Sequence, residues 1–169
     1  KAMKITTSTP IKIICLSFKI SPPIHKNMLS SVSQFIDYMD QKGLKYDNHG
    51  SVGDKGREVV DVSFGGENMN TIKTRFYFED DAESVAIRVF DIVKVPADKV
   101  DVMYPAINAV NKRFRFAKFV LDTDDNTIQA EMDAAFRSND VGEICNELLI
   151  RMVDICDKAY PDLMKALWA

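Results

Sequence analysis

Histidine is nearly absent from this chain. His25 and His49 are the only two, and neither has a second histidine at metal-ligand spacing. Each lies in a stretch with no nucleophile motif beside it, so no hydrolytic triad is laid out and no catalytic residue is assigned. Cysteine is scarce as well, with three residues. Cys145 and Cys156 fall on one helical stretch, roughly 16 Å apart along its axis, whereas a disulfide tolerates about 7 Å between Cα atoms. They read as buried, reduced thiols of a cytoplasmic-type compartment. No run of about 18 apolar residues exists, so no membrane span is expected. The nearest approach, Ile11 to Ile20, is broken by Lys12 and Lys19. Seven glycines and six prolines in 169 residues exclude a low-complexity chain, and no internal repeat is visible.

Acidic residues are missing from positions 1–36, which hold five lysines. The other 17 of the 22 basic residues face all 25 acidic ones in the rest of the chain, a net of −8. Such a body repels a phosphate backbone, which argues against DNA or RNA as the partner. What is present is ordinary globular material, 46% apolar and 28% charged, long enough to bury its own core without a staple.

A composition break at Ser21-Pro22-Pro23 separates a basic extension, residues 1–27, from a domain at 28–169. Within the extension Ile14, Leu16, Phe18 and Ile20 alternate, which suits a strand added to, or swapped onto, a sheet edge. Its acid-poor composition is also that of a leader. The first helix is expected over 28–42, from the stripe Leu29, Val32, Phe35, Ile36 and Met39, with Asn27 or Ser30 as cap and Gly43 as stop. Three strands follow: Val60-Val62-Phe64, Ile72-Thr74-Phe76-Phe78, and Val85 to Val93, the last apolar enough to be buried on both faces. A helix over 97–112 carries Val100, Tyr104, Ile107 and Asn111 on one face, with a kink or split at Pro105. Phe116–Leu121 and Thr127–Ala134 form a hairpin, and a last helix spans 140–159. The order α-β-β-β-α-β-β-α, without βαβ alternation, indicates an α+β domain built on an antiparallel sheet with flanking helices.

Two stretches imitate ligand sites. Gly50, Gly53 and Gly56 lead into a strand with no Gly-Lys-Ser/Thr and no helix behind them, so they read as a mobile hairpin loop rather than a phosphate cradle. Asp122, Asp124, Asp125 and Asn126 resemble the start of a calcium loop, but Thr127 stands where the turn glycine belongs and Asp133 where the bidentate Glu belongs. A hairpin turn accounts for them, so no metal and no cofactor are assigned. Asp91 interrupts the most apolar strand, and a carboxylate there calls for pairing, with Arg88 and Arg75 as partners, or for a binding role. Trp168 closes an amphipathic tail, Tyr160 to Trp168, that either docks on its own domain or clamps a partner.

The run Ser84 to Pro96 resembles the YbjN family, as do Arg113 to Asp122 with the strand Ala130–Asp133, and the segment Tyr160 to Trp168. The similarity covers residues 28–169. It implies a fold like that of type III secretion chaperones, in a bacterial intracellular protein of a kind labelled a sensory transduction regulator. Chaperones of that fold are homodimers that hold an extended partner segment. Residues 1–27 have no counterpart in the family, and Pro105 interrupts the helix that often pairs two copies. The function expected is a non-catalytic protein-binding module, chaperone-like or regulatory, with Arg75, Arg88, Asp91 and Trp168 as partner-binding candidates. The alternatives are a small-molecule sensor or enzyme, with a pocket converging on Arg75, Arg88 and Asp91, and a structural subunit assembled by strand swapping.

Overall fold

The computed structural model describes residues 28–54, 56–137 and 140–169. The expected extension over 1–27, its strand and the candidate cap Asn27 lie outside the described residues. The fold is α+β: the described residues form a six-stranded antiparallel sheet and three α-helices.

The first helix, α1 (Ser30–Gln41), buries Val32, Phe35 and Met39 at the expected spacing. It stops at Gly43, whose φ of 65° suits glycine, and Leu44 N–H donates back to the Met39 carbonyl at 2.9 Å. Its start has no local side-chain cap. Leu29 takes the N-cap position and donates its N–H to Glu58 Oε1 at 3.0 Å, a carboxylate delivered from the sheet.

The strands are β1 (Asp47–Val52), β2 (Arg57–Phe64), β3 (Ile72–Phe78), β4 (Ser84–Lys94), β5 (Lys118–Asp122) and β6 (Thr127–Ala135), in the spatial order β1-β2-β3-β4-β6-β5. Alternation puts Val60 and Val62, Phe76 and Phe78, Val85 and Ile87, and Ile128 and Ala130 on one face. Phe35 of α1 seats on that face, with ring centroids 4.8 Å from Phe76 and 5.6 Å from Phe78. Burying such a ring stabilises the fold by about 2–3 kcal/mol.

Strand β1 departs from the expected loop. Gly50 lies in an edge strand paired to β2, not in a mobile loop, while Gly53 and Gly56 form the turn that follows. Strand β4 is central, yet only one of its faces is buried: Ala86 and Arg88 are half-buried on the other side, and Phe90 and Asp91 are exposed.

After a 3₁₀ turn at Ala97–Lys99, α2 (Val100–Arg113) runs through Pro105 without a split. Pro105 is exposed, so water can take up the carbonyl it leaves unpaired. The buried stripe is Met103, Ile107 and Val110, and Tyr104 points outward. Helix α3 (Val141–Trp168) is a single element that continues past 159 and through the exposed Pro161. It crosses β3, β4 and β6, with α1 on one flank and α2 on the other. Leu163 and Leu167 dock into the core, but Trp168 is 78% exposed and does not. Cys145 and Cys156 are buried reduced thiols, with pKa values raised by desolvation. Among the described residues, no helix is long and apolar enough to cross a membrane.

Candidate functional site

All three helices pack on one face of the sheet, so the other face is the place to look for a site. A row of six residues crosses it, one per strand: Asp47, Asp61, Arg75, Arg88, Glu131 and Lys118. Arg75 and Arg88 stand directly opposite each other, a repulsive arrangement unless each is neutralised from its other side. Arg75 turns to Asp61, with Nε to Oδ1 at 2.7 Å and Nη2 to Oδ2 at 2.8 Å. Arg88 turns to β6, with Nη1 2.7 Å from Asp133 Oδ1 and Nε 3.9 Å from Glu131.

Asp61 is the hub of this row. Its side chain has no exposed surface, and Lys73 Nζ at 2.8 Å and His49 Nε2 at 2.9 Å join Arg75 around it. Burial alone would raise the carboxyl. The hydrogen bonds from Arg75, Lys73 and His49 outweigh burial and hold it at about 2, below its ordinary 3.8. The Arg75 guanidinium is pushed up in return, chiefly by its bond to Asp61.

Beside this row lies a cleft of about 360 Å³ running across β2, β3, β4 and β6. Arg57 and Glu79, paired at 2.7 Å, stand at one end and Arg88 with Asp133 at the other. Between them Tyr77 and Phe90 meet edge to face, with centroids 6.5 Å apart and planes at 86°. Phe90 is held out by a bulge: Phe90, Asp91 and Ile92 of β4 stand against Gln129 alone, between the pairs Val89↔Ala130 and Val93↔Ile128. Asp91 takes φ 54° there, a conformation that a non-glycine residue adopts in a strand only when its surroundings impose it. The result is an aromatic ring and a carboxylate presented side by side on a central strand.

Both edges of the sheet are blunted. On β5, the Asn111 side chain occupies the free edge at Phe119, accepting its N–H at 2.7 Å and donating to its carbonyl at 2.9 Å. On β1, a bulge lies between Asn48 and Gly50, and Asn48 Oδ1 takes the Gly50 N–H at 2.9 Å.

The four residues singled out from the sequence are therefore not one constellation. Arg75 and Arg88 are neighbours, but neither pairs with Asp91, because each is taken by carboxylates on its other flank. Arg88 and Phe90 line the cleft, while Arg75 and Asp91 do not. Of Arg75, Arg88 and Asp91, this cleft takes in Arg88 alone. Trp168 stands on α3, in the helical layer. Sequence reasoning missed Asp61, Tyr77 and Phe90. For Phe90 the available signal was the slip in β4, where the apolar positions Val85, Ile87 and Val89 resume at Ile92 rather than at Asp91. The acidic hairpin turn at Asp122–Asn126 is held by its own side chains, Asp122 accepting from Asp124 N–H and Asp125 from Thr127. Among the described residues, no group of three or more His, Cys, Asp or Glu is arranged to hold a metal ion.

No protein-family model matches the chain, and no curated protein matches it. Among solved structures it is similar to the crystal structure of YbjN, a candidate transcription regulator from E. coli, with a TM-score of 0.49 and 12% identity over 74% of this chain and 84% of that one. A likeness of that depth leaves the function to be argued from the residues of the open face.

Proposed function

We propose that this domain is a non-catalytic protein-binding module, chaperone-like or regulatory, that takes an extended protein segment on the open face of its sheet. The observation that carries this reading is the bulge at Phe90–Asp91, which holds a large ring 41% exposed on a central strand at the cost of a strained backbone. An exposed ring beside a cleft with an ion pair at each end is the anatomy of a binding hot spot: an apolar centre with a polar rim. The guanidinium groups in and beside the cleft are already paired with carboxylates, which favours orienting a peptide over activating a substrate. A homodimer joined through α2 belongs to the same reading, supported by Val102 and Tyr104, each about half exposed on that helix.

The test is affinity capture from the source cell with mass spectrometry, using wild type beside Asp91→Asn. Asparagine tolerates the positive φ, so the bulge is kept and only the charge is lost. Partners recovered by wild type are expected to fall several-fold with the variant. Equal recovery would count against the open face.

A further inference from the structure

The side chains around Phe90 select for one kind of partner. We propose, on the reading of the open face as a docking surface, that the segment it holds is basic. Such a segment lays an apolar side chain in the Tyr77–Phe90 cleft and, on the same side, an arginine against the Phe90 ring with Asp91 as its counter-ion.

Asp91 is exposed and makes no ion pair among the described residues. The cations on the strands around it are engaged elsewhere. Lys73 and Arg75 hold Asp61, and Arg88 holds Asp133. Lys94 donates to the Asp125 carbonyl, and Lys118 donates to the carbonyls of Asn111 and Phe114. The carboxylate left over follows directly on a ring that is 41% exposed. A ring face and a carboxylate side by side attract a cation together. A guanidinium suits them better than an ammonium, because its plane stacks on the ring while its N–H groups reach the carboxylate.

The charge of the whole domain points the same way. From residue 28 on, the chain holds 17 basic and all 25 acidic residues, so a basic segment is drawn toward it and an acidic one is repelled.

The cleft supplies the second contact. Ser84, Ala86 and Ala134 are small and leave room for an apolar side chain beside Tyr77 and Phe90. In an extended segment, side chains on one side recur at every second residue, about 6.5–7 Å apart. Phe90 lines the cleft and Asp91 stands next to it on the same open face. An apolar residue with an arginine two positions away matches that spacing.

Amide chemical-shift titration of the 169-residue chain with synthetic peptides tests this. The probe is a short peptide that alternates threonine with leucine and arginine; in two comparison peptides glutamine or glutamate replaces the arginine. The arginine peptide should shift the amides of Ala86, Phe90, Asp91 and Gln129. It should bind about fivefold more tightly than the glutamine peptide and lose that advantage as salt is added. Asp91→Asn should abolish the preference and leave the affinity for the glutamine peptide unchanged. No shift with the arginine peptide, shifts confined to the helical layer, or tighter binding of the glutamate peptide would overturn the proposal. Equal binding of the arginine and glutamine peptides at the same amides would overturn the basic chemistry alone and leave the docking face in place.

Discussion

Asp157 of α3 sits where a side chain on Gly66 would be: a Cβ built on Gly66 falls 2.0 Å from Asp157 Oδ1. The missing side chain lets the carboxylate enter the β2–β3 loop and accept the backbone N–H groups of Glu67 at 3.1 Å, Asn68 at 2.9 Å and Met69 at 2.9 Å. One helix residue thereby fixes the loop joining two strands of the open face.

Two substitutions test that anchor. Asp157→Ala should destabilise the domain by about 2 kcal/mol, because three amides lose a charged acceptor and water replaces it only in part. Gly66→Ala should cost at least as much, since the carboxylate must leave or the loop must move. Chemical denaturation measures both. The double variant should be far less than additive, as the two changes break one contact.

A second expectation concerns acid. Asp61 is held at about 2 against an ordinary 3.8, so its folded pKa lies below its unfolded one. Its contribution to stability is then complete above about pH 4 and is lost as the pH falls toward 2. Three partly exposed partners screen the effect, which leaves on the order of 1–2 kcal/mol. Asp61→Asn should remove that amount at neutral pH and flatten the acid limb of the stability curve. An unchanged acid limb would mean that the cluster contributes nothing.

A third expectation concerns helix packing. A Cβ on Gly142 would lie 2.5 Å from Tyr38 Cβ and 3.0 Å from the Gln34 carbonyl. Gly142→Ala should therefore push α1 from α3 and lower stability by about 1–3 kcal/mol, despite the better helix propensity of alanine. A gain in thermal midpoint would contradict this contact.

Much of this fold is legible from side-chain periodicity, because periodicity reports burial. Helix α1, strand β3 and the β5–β6 hairpin each bury one regular face, and each lies near its expected place; β2 does too, although Val59 and Asp61 on its other face are buried as well. Strand β1 is not legible, because Asp47 to Val52 buries Gly50 alone and is held by pairing to β2 and by His49 reaching Asp61. The apolar run of β4 reads as a strand covered on both sides because its bulge shifts the alternation by one position. The tail at 160–168 reads as a separate piece, yet Pro161 faces solvent and leaves α3 intact.

The site is less legible than the fold. Arg75 and Arg88 stand out in the sequence as charges near Asp91, but their true partners depend on register, which sets Asp61 against Arg75 and Glu131 against Arg88. Tyr77 and Phe90 sit on different strands, and nothing along the chain announces that their rings meet. Alternating signs on β2 and β3, Asp61 against Lys73 and Arg75, are the one trace of the Asp61 cluster.

The most direct measurement compares partner capture by two equally drastic substitutions on opposite layers. Phe90→Asp alters the open face, and Ile150→Asp alters the helical layer at a residue of similar exposure, 50% against 41%. With both variants shown to be folded by circular dichroism, Phe90→Asp should lose the proteins bound by wild type while Ile150→Asp keeps them. Loss with Ile150→Asp and retention with Phe90→Asp would move the binding surface to the helices and contradict a binding role for the open sheet.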